Sequence, residues 1–239
     1  LKTKLTDAVV TVPIFFDDEQ CKATKEICLK AGIGVLNIVK EPIAASIAFA
    51  VKGHILKENN ILVLDLGGGS FSVSYLQFQN SAFSVLASAE NFDIGGEIID
   101  NIMVEYFSNR FQNKFNCDLR QSPYALRTLR LACEQAKIDL STKTTASIFC
   151  KSIFENHDLC DSISLDEFEK LTEDMFKSML GLIKQVLKKS EVQESDYKSI
   201  PVILLGRSSY IPKVHQFLKN IFTESRISKG NHKEAIAIG

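Results

Sequence analysis

Asp65 lies near the end of the apolar run ILVLDL, Gly67, Gly68 and Gly69 follow it, and Ser70 opens the next strand-like run. An acid, a bare backbone and a hydroxyl in that order suit one chemistry, the holding of a metal-bound polyphosphate. Successive backbone N–H groups in a glycine turn make a concave nest for an anion. Glycine can also adopt φ > 0 and keeps side chains away from whatever approaches. The Asp65 carboxylate would hold the water shell of a Mg²⁺, an ion that keeps several waters beside substrate phosphates. Ser70 would donate to a phosphate oxygen. No Lys-Ser/Thr pair follows and no helix begins there, so this is not a Walker loop. The same residues would equally make a glycine-rich hairpin tip.

Two further glycine turns have the same grammar. In FDIGGEIIDN, Gly95 and Gly96 head a helix with Glu97 in its first turn, where free N–H groups bind anions; a plain loop-to-helix cap reads identically. In VILLGRSSYIPKV a strand runs into Gly206 and then a helix over Tyr210–Phe222. Three glycine turns at strand ends reinforce one another, because open α/β sheets bind ligands beyond the carboxyl ends of their strands.

The elements that must position these turns begin with strand, helix, strand, helix. Residues 7–13 and 34–39 are β-branched runs, and Pro42 sits in the first turn of the second helix. Cys21 and Cys28 fall on the first helix and read as small core residues. After a candidate hinge at 52–60 come three strands in a meander, with a turn at Asn80. Helices follow from Gly95 to about Phe115 and from Ser122 to about Leu140, then a β-rich stretch around 145–164. One amphipathic helix starts at Ser164, with Glu167 at the capping-box position, and runs to about Ser190. The sequence therefore predicts an α/β protein.

Composition narrows the function classes. The 239 residues carry net charge −1, which provides no global field for nucleic acid or an anionic membrane surface. No apolar run approaches the ~20 residues of a membrane-spanning helix. The six cysteines form no CxxC pair and no zinc spacing with the four histidines. Such scatter favours a reducing compartment, so the expectation is a cytoplasmic protein. The chain starts at Leu1 and stops inside the apolar run EAIAIG, which reads as a fragment.

The order of AVVTVPIFFDDEQ, KEPIAAS, ILVLDLGGGSFSVSYL, IGGEIIDN, ACEQAKIDLS and GRSSYIPKV resembles the ATPase domain of the seventy-kilodalton heat-shock chaperones along essentially the whole chain. The resemblance implies an actin-like ATPase fold (ribonuclease H-like), with mixed sheets flanked by helices in two lobes. Residues 1–57 would be the remainder of lobe I, 58–227 lobe II with a helical subdomain at about 96–175, and 228–239 a return to lobe I. It implies ATP/ADP and Mg²⁺ as cofactors. Unfolded client proteins, J-domain co-chaperones and nucleotide-exchange factors are the implied partners, without nucleic acid or membrane. The first phosphate loop, the catalytic lysine and the peptide-binding domain would lie outside this stretch.

By the same resemblance Asp65 matches the Mg²⁺-water aspartate, Gly67, Gly68 and Gly69 the phosphate-cradling turn, and Ser70 the γ-phosphate hydroxyl. Glu41 matches the glutamate that positions the attacking water, and Pro13 a relay proline. Gly95, Gly96 and Glu97 form the second nucleotide turn. Glu134, Lys137 and Ser141, spaced along one helix face, match nucleoside contacts, as do Gly206, Arg207, Ser208 and Tyr210 beneath the base. Several positions depart from the pattern. Ser72 stands where a second Mg²⁺-side aspartate is expected, and Ile138 and Tyr210 where two residues sandwich adenine. Arg207 fills the second glycine of a pair, Lys233 replaces an acid near the ribose, and Cys21 an arginine of the interlobe relay. Two readings follow. One is the working ATP-binding module of a chaperone, and the other a catalytically impaired relative acting as an interaction module. A sugar kinase or actin-like filament protein of the same superfamily fits the landmarks poorly.

Overall fold

A computed structural model describes residues 6–51, 60–224, 227–228 and 235–238. The expected hinge at 52–60 falls almost wholly outside them, as does Lys233. The β-branched stretch Asp7–Val12 forms β1, paired in parallel with β2 at Gly34–Lys40. Helix α1, Asp18–Lys30, joins them, and its start is fixed by a reciprocal cap. Asp17 accepts from the Gln20 amide, and the Asp17 amide donates to the Gln20 side chain. The expectation of core cysteines fails here. α1 buries no residue, and Cys21 and Cys28 are only half-buried. Charged Lys22, Lys25 and Glu26 interrupt the interval between them, so no apolar stripe forms. Helix α2, Glu41–Val51, is the opposite case, with Ala44, Ala45, Ala48 and Phe49 all buried.

The meander is β3 (Asn60–Leu66), β4 (Phe71–Gln79) and β5 (Ala82–Asn91). Asn80 and Ser81, at φ 51° and 63°, close the second hairpin as a primed turn demands. From that turn the strands pair Gln79 with Ala82 and Leu76 with Val85. The register then slips, and Tyr75 pairs with Ala87. Leu86 is left over as a bulge, and every later pair is offset by one residue.

Helix α3 (Gly96–Phe115) and helix α4 (Pro123–Asp139, capped by Ser122) precede the hairpin β6 (Thr145–Phe154) and β7 (His157–Ser164). The Ser164–Glu167 capping box forms as expected. The single helix expected beyond it is two, α5 (Leu165–Leu171) and α6 (Glu173–Lys189). The break is at Thr172, which is fully buried and turns its hydroxyl back to Phe168 O at 2.8 Å. Strand β8 (Val202–Leu205) lies parallel beside β3, giving the order β5-β4-β3-β8. A 3-10 turn at Arg207–Tyr210 then precedes α7 (Pro212–Lys219), which is shorter than the sequence predicts. The short α8 spans Ala235–Ile238.

The four-stranded sheet is covered on both faces, which is why ILVLDL reads as continuously apolar rather than alternating. Leu62, Leu64 and Leu66 pack with α3, α4, α6 and the β6–β7 hairpin in the main core. Ile61 and Val63 point the other way, against Ala45 and Phe49 of α2 and Ala235 of α8. Among the described residues no helix is long and apolar enough to cross a membrane.

Candidate functional site

Strand alternation extends the Ile61, Val63 series to Asp65, on the face that α2 covers and at the carboxyl end of β3. Glu41 is the first residue of α2. Both carboxylates line a cleft of about 280 Å³, together with Gly67, Gly69, Ser70, Ser72 and Glu90. Pro13, Ile14, Phe15 and Phe92 complete its wall, the two phenylalanines edge to face at 5.9 Å. Burial, then the negative charge of Glu90, pushes the Asp65 carboxyl up to about 6. The Glu41 carboxyl is also raised, by burial first and then by Asp65 and Glu90. Among the described residues no lysine or arginine pairs with any of the three.

The turn at Gly67–Gly69 corrects one expectation. None of the three has a φ in the left-handed range between +20° and +160°; among described glycines only Gly32 and Gly206 do. What these glycines supply is space. A Cβ at Gly69 would meet nothing within 4 Å, so the fold itself does not require glycine there. The Gly67 amide donates to Ser70 O at 3.0 Å, while those of Gly68, Gly69 and Ser70 have no partner among the described residues. An open, unspent row of donors beside a cleft is what an anion needs.

Gly95, Gly96 and Gly206 serve the fold. Side chains there would strike Gly68 O, Ser208 Oγ and Leu66 O respectively. The amides of Gly96 and Glu97 donate to Gly67 O and Gly68 O at 3.0 and 2.9 Å, and Ser208 Oγ donates to Gly67 O at 2.9 Å. The start of α3 is thus a loop-to-helix cap whose first donors are taken. The three glycine turns are knitted together through their carbonyls.

The nucleoside set lies elsewhere. Lys137 pairs with Asp100 at 2.7 Å and donates to Gly96 O at 3.0 Å, with both charged side chains nearly buried. Burial lifts the Asp100 carboxyl above its usual range, and Lys137 works against that. Glu134 and Glu97 are exposed. Ser141 lies beyond the end of α4, its amide donating to Ile138 O, so it does not share the helix face with Glu134 and Lys137. Ile138 and Tyr210 are about half exposed, and Arg207 is exposed. None of Gly95, Gly96, Glu97, Glu134, Lys137, Ser141, Gly206, Arg207, Ser208 or Tyr210 lines the cleft, nor does Gly68.

Sequence reasoning passed over Glu90. Its Oε1 accepts from Ser70 Oγ at 2.6 Å, and its Oε2 is buried with no partner among the described residues. The bulge at Leu86 brings it opposite Ser72. Counting straight back from the Asn80–Ser81 turn would have put Ala89 there.

The family described as Hsp70 protein matches the chain over residues 1–239. The chain belongs to the Hsp70 family. It is 39% identical over 235 residues to a heat shock 70 kDa protein of Penicillium citrinum, covering 98% of this chain and 46% of that protein. It is 39% identical over 235 residues to the heat shock 70 kDa protein of Emericella nidulans, covering 98% of this chain and 36% of the other. A ribosome-associated molecular chaperone of Zygosaccharomyces rouxii is 39% identical over 238 residues, 99% of this chain and 38% of its own. The chain spans about a third to a half of the length of these relatives. Membership of the Hsp70 family implies nucleotide binding, with Mg²⁺ its usual companion. The cleft fits that pair: amides of Gly69 and Ser70 without a partner among the described residues for phosphate oxygens, and carboxylates that no described lysine or arginine pairs, one with a buried orphan oxygen, for a hydrated cation.

Proposed function

We propose that this chain is the ATP-binding part of an Hsp70-type chaperone, and that the cleft at the end of β3 receives the Mg²⁺-bound phosphates. The observation that carries this is the meeting of unspent turn amides with Asp65 and Glu41 in one cleft. Gly69 and Ser70 would hold phosphate oxygens through their amides. Asp65 would hold the water shell of the Mg²⁺, which supplies charge neutralisation at the transferring phosphate. Glu41, a carboxyl raised by burial and facing Asp65, would orient the attacking water. Gly206, Ser208 and Tyr210 would border the base.

Residues 1–57 with 228–239, and 58–227, then form two lobes of an actin-like fold that close on the nucleotide. Hydrolysis would reset a peptide-binding domain acting on unfolded clients, with J-domain proteins and exchange factors as partners. We take the compartment to be the cytoplasm, since the described cysteines are all free.

A second reading, a hydrolysis-impaired interaction module, draws on Ser72 carrying no charge, Ser70 being tied to Glu90 and Lys137 being tied to Asp100. Calorimetric titration of the full-length protein with Mg·ATP tests the first reading. Saturable heat at micromolar nucleotide supports it, and none at high-micromolar concentration refutes it. Saturable binding with no phosphate release in single-turnover assays selects the second.

A further inference from the structure

We infer that Glu90 is the second carboxylate facing the divalent cation of this cleft, supplying from β5 the charge that Ser72 does not supply from β4. The inference rests on reading the cleft as a metal-polyphosphate site. Its basis is a row across the sheet: Asp65 pairs with Ser72, and Ser72 pairs with Glu90. Directly paired residues project from the same face, so all three line the cleft. Asp65 and Glu90 are two strand spacings apart, about 10 Å along the sheet. Glutamate, one methylene longer than aspartate, shortens that span, leaving room between the carboxylates for a hydrated ion.

The two oxygens of Glu90 have different fates. Oε1 is held by the Ser70 hydroxyl at 2.6 Å, which fixes the carboxylate plane. Oε2 is buried and lacks any partner among the described residues. A buried carboxylate oxygen without a donor is costly, and native proteins rarely leave one unmatched. No lysine or arginine among the described residues answers it, and Glu90 faces Glu41 and Asp65, whose carboxyl groups its charge raises. Three acids around one cleft therefore await positive charge from outside. Among the described residues no three acidic, histidine or cysteine side chains stand close enough to ligate a metal directly. The ion would thus be held through its water shell, as Mg²⁺ commonly is.

The test titrates Mn²⁺ into the full-length protein without nucleotide and reads free ion by electron paramagnetic resonance. Glu90→Gln keeps the shape and removes the charge. Mn²⁺ affinity should fall about tenfold or more, the loss typical when an outer partner of a metal is removed. Adding Ser72→Asp to Glu90→Gln should restore it, which a merely misfolded variant would not show. Equal affinity in wild type and Glu90→Gln, no restoration by Ser72→Asp, or no Mn²⁺ bound to wild type at millimolar concentration would each overturn the inference. A parallel Mg·ATP titration judges the nucleotide reading separately. Without ATP binding but with a Glu90-dependent Mn²⁺ site, the proposed function fails and the Glu90 assignment stands.

Discussion

Replacing Asp65 with Asn measures the electrostatic cost stored in the cleft. Burial and Glu90 raise this carboxyl from 3.8 to about 6, which at about 1.4 kcal/mol per pH unit amounts to about 3 kcal/mol. The sign follows from which state holds the proton more tightly. Folded Asp65 is the weaker acid, so its stabilising contribution is complete below about pH 4 and is lost as pH rises to about 6. At pH 7.5 the ionised carboxylate burdens the metal-free fold, and neutral Asn, nearly the same size, removes that burden. In EDTA at pH 7.5, urea denaturation should find Asp65→Asn more stable by about 1–3 kcal/mol at unchanged m, a rise of several degrees in Tm for a chain of this size. The gain should vanish towards pH 4. Millimolar Mg²⁺ should stabilise wild type more than the variant, which has lost one of the carboxylates facing the ion. A variant no more stable at pH 7.5, or a gain of equal size at both pH values, would refute the reasoning.

Lys137→Met should cost about 3–5 kcal/mol in urea denaturation by stranding Asp100 in the core; adding Asp100→Asn should recover most of it. Gly69→Ala should leave Tm within a degree or two while weakening inorganic polyphosphate binding in calorimetry, because its Cβ meets only open space. Gly95→Ala should lower stability by about 2 kcal/mol or more, since its Cβ strikes the Gly68 carbonyl. Deleting Leu86 should remove the bulge and leave Glu90 opposite Ser72, so Glu90-dependent Mn²⁺ binding should persist.

The local devices were legible in the sequence because each is written within a few residues. The Ser164–Glu167 box, the Pro42 helix start and the apolar β3 run all formed where their spacing put them. Asp65, Gly69, Ser70 and Glu41 line one cleft, although only the resemblance, and not spacing, linked Glu41 to the other three. What escaped depends on contacts distant along the chain. Thr172 breaks a continuous amphipathic pattern through a buried hydroxyl. Lys137 looks like a solvated or ligand-facing charge until Asp100, on another helix, is seen to hold it. The glycines of IGGE and GGG read alike, yet packing demands one pair and leaves Gly69 unconstrained.

The spare residue at Leu86 changes how the family's members should be compared with this one. Column by column, a position that loses its acid scores as damage and a position that gains one scores as noise. Here the slip in pairing puts Glu90 beside Ser72, so the quantity to compare among relatives is the total charge on a patch of sheet. A chain scored by single columns would be filed among the inert members, whereas a chain scored by patches would keep its claim to a metal.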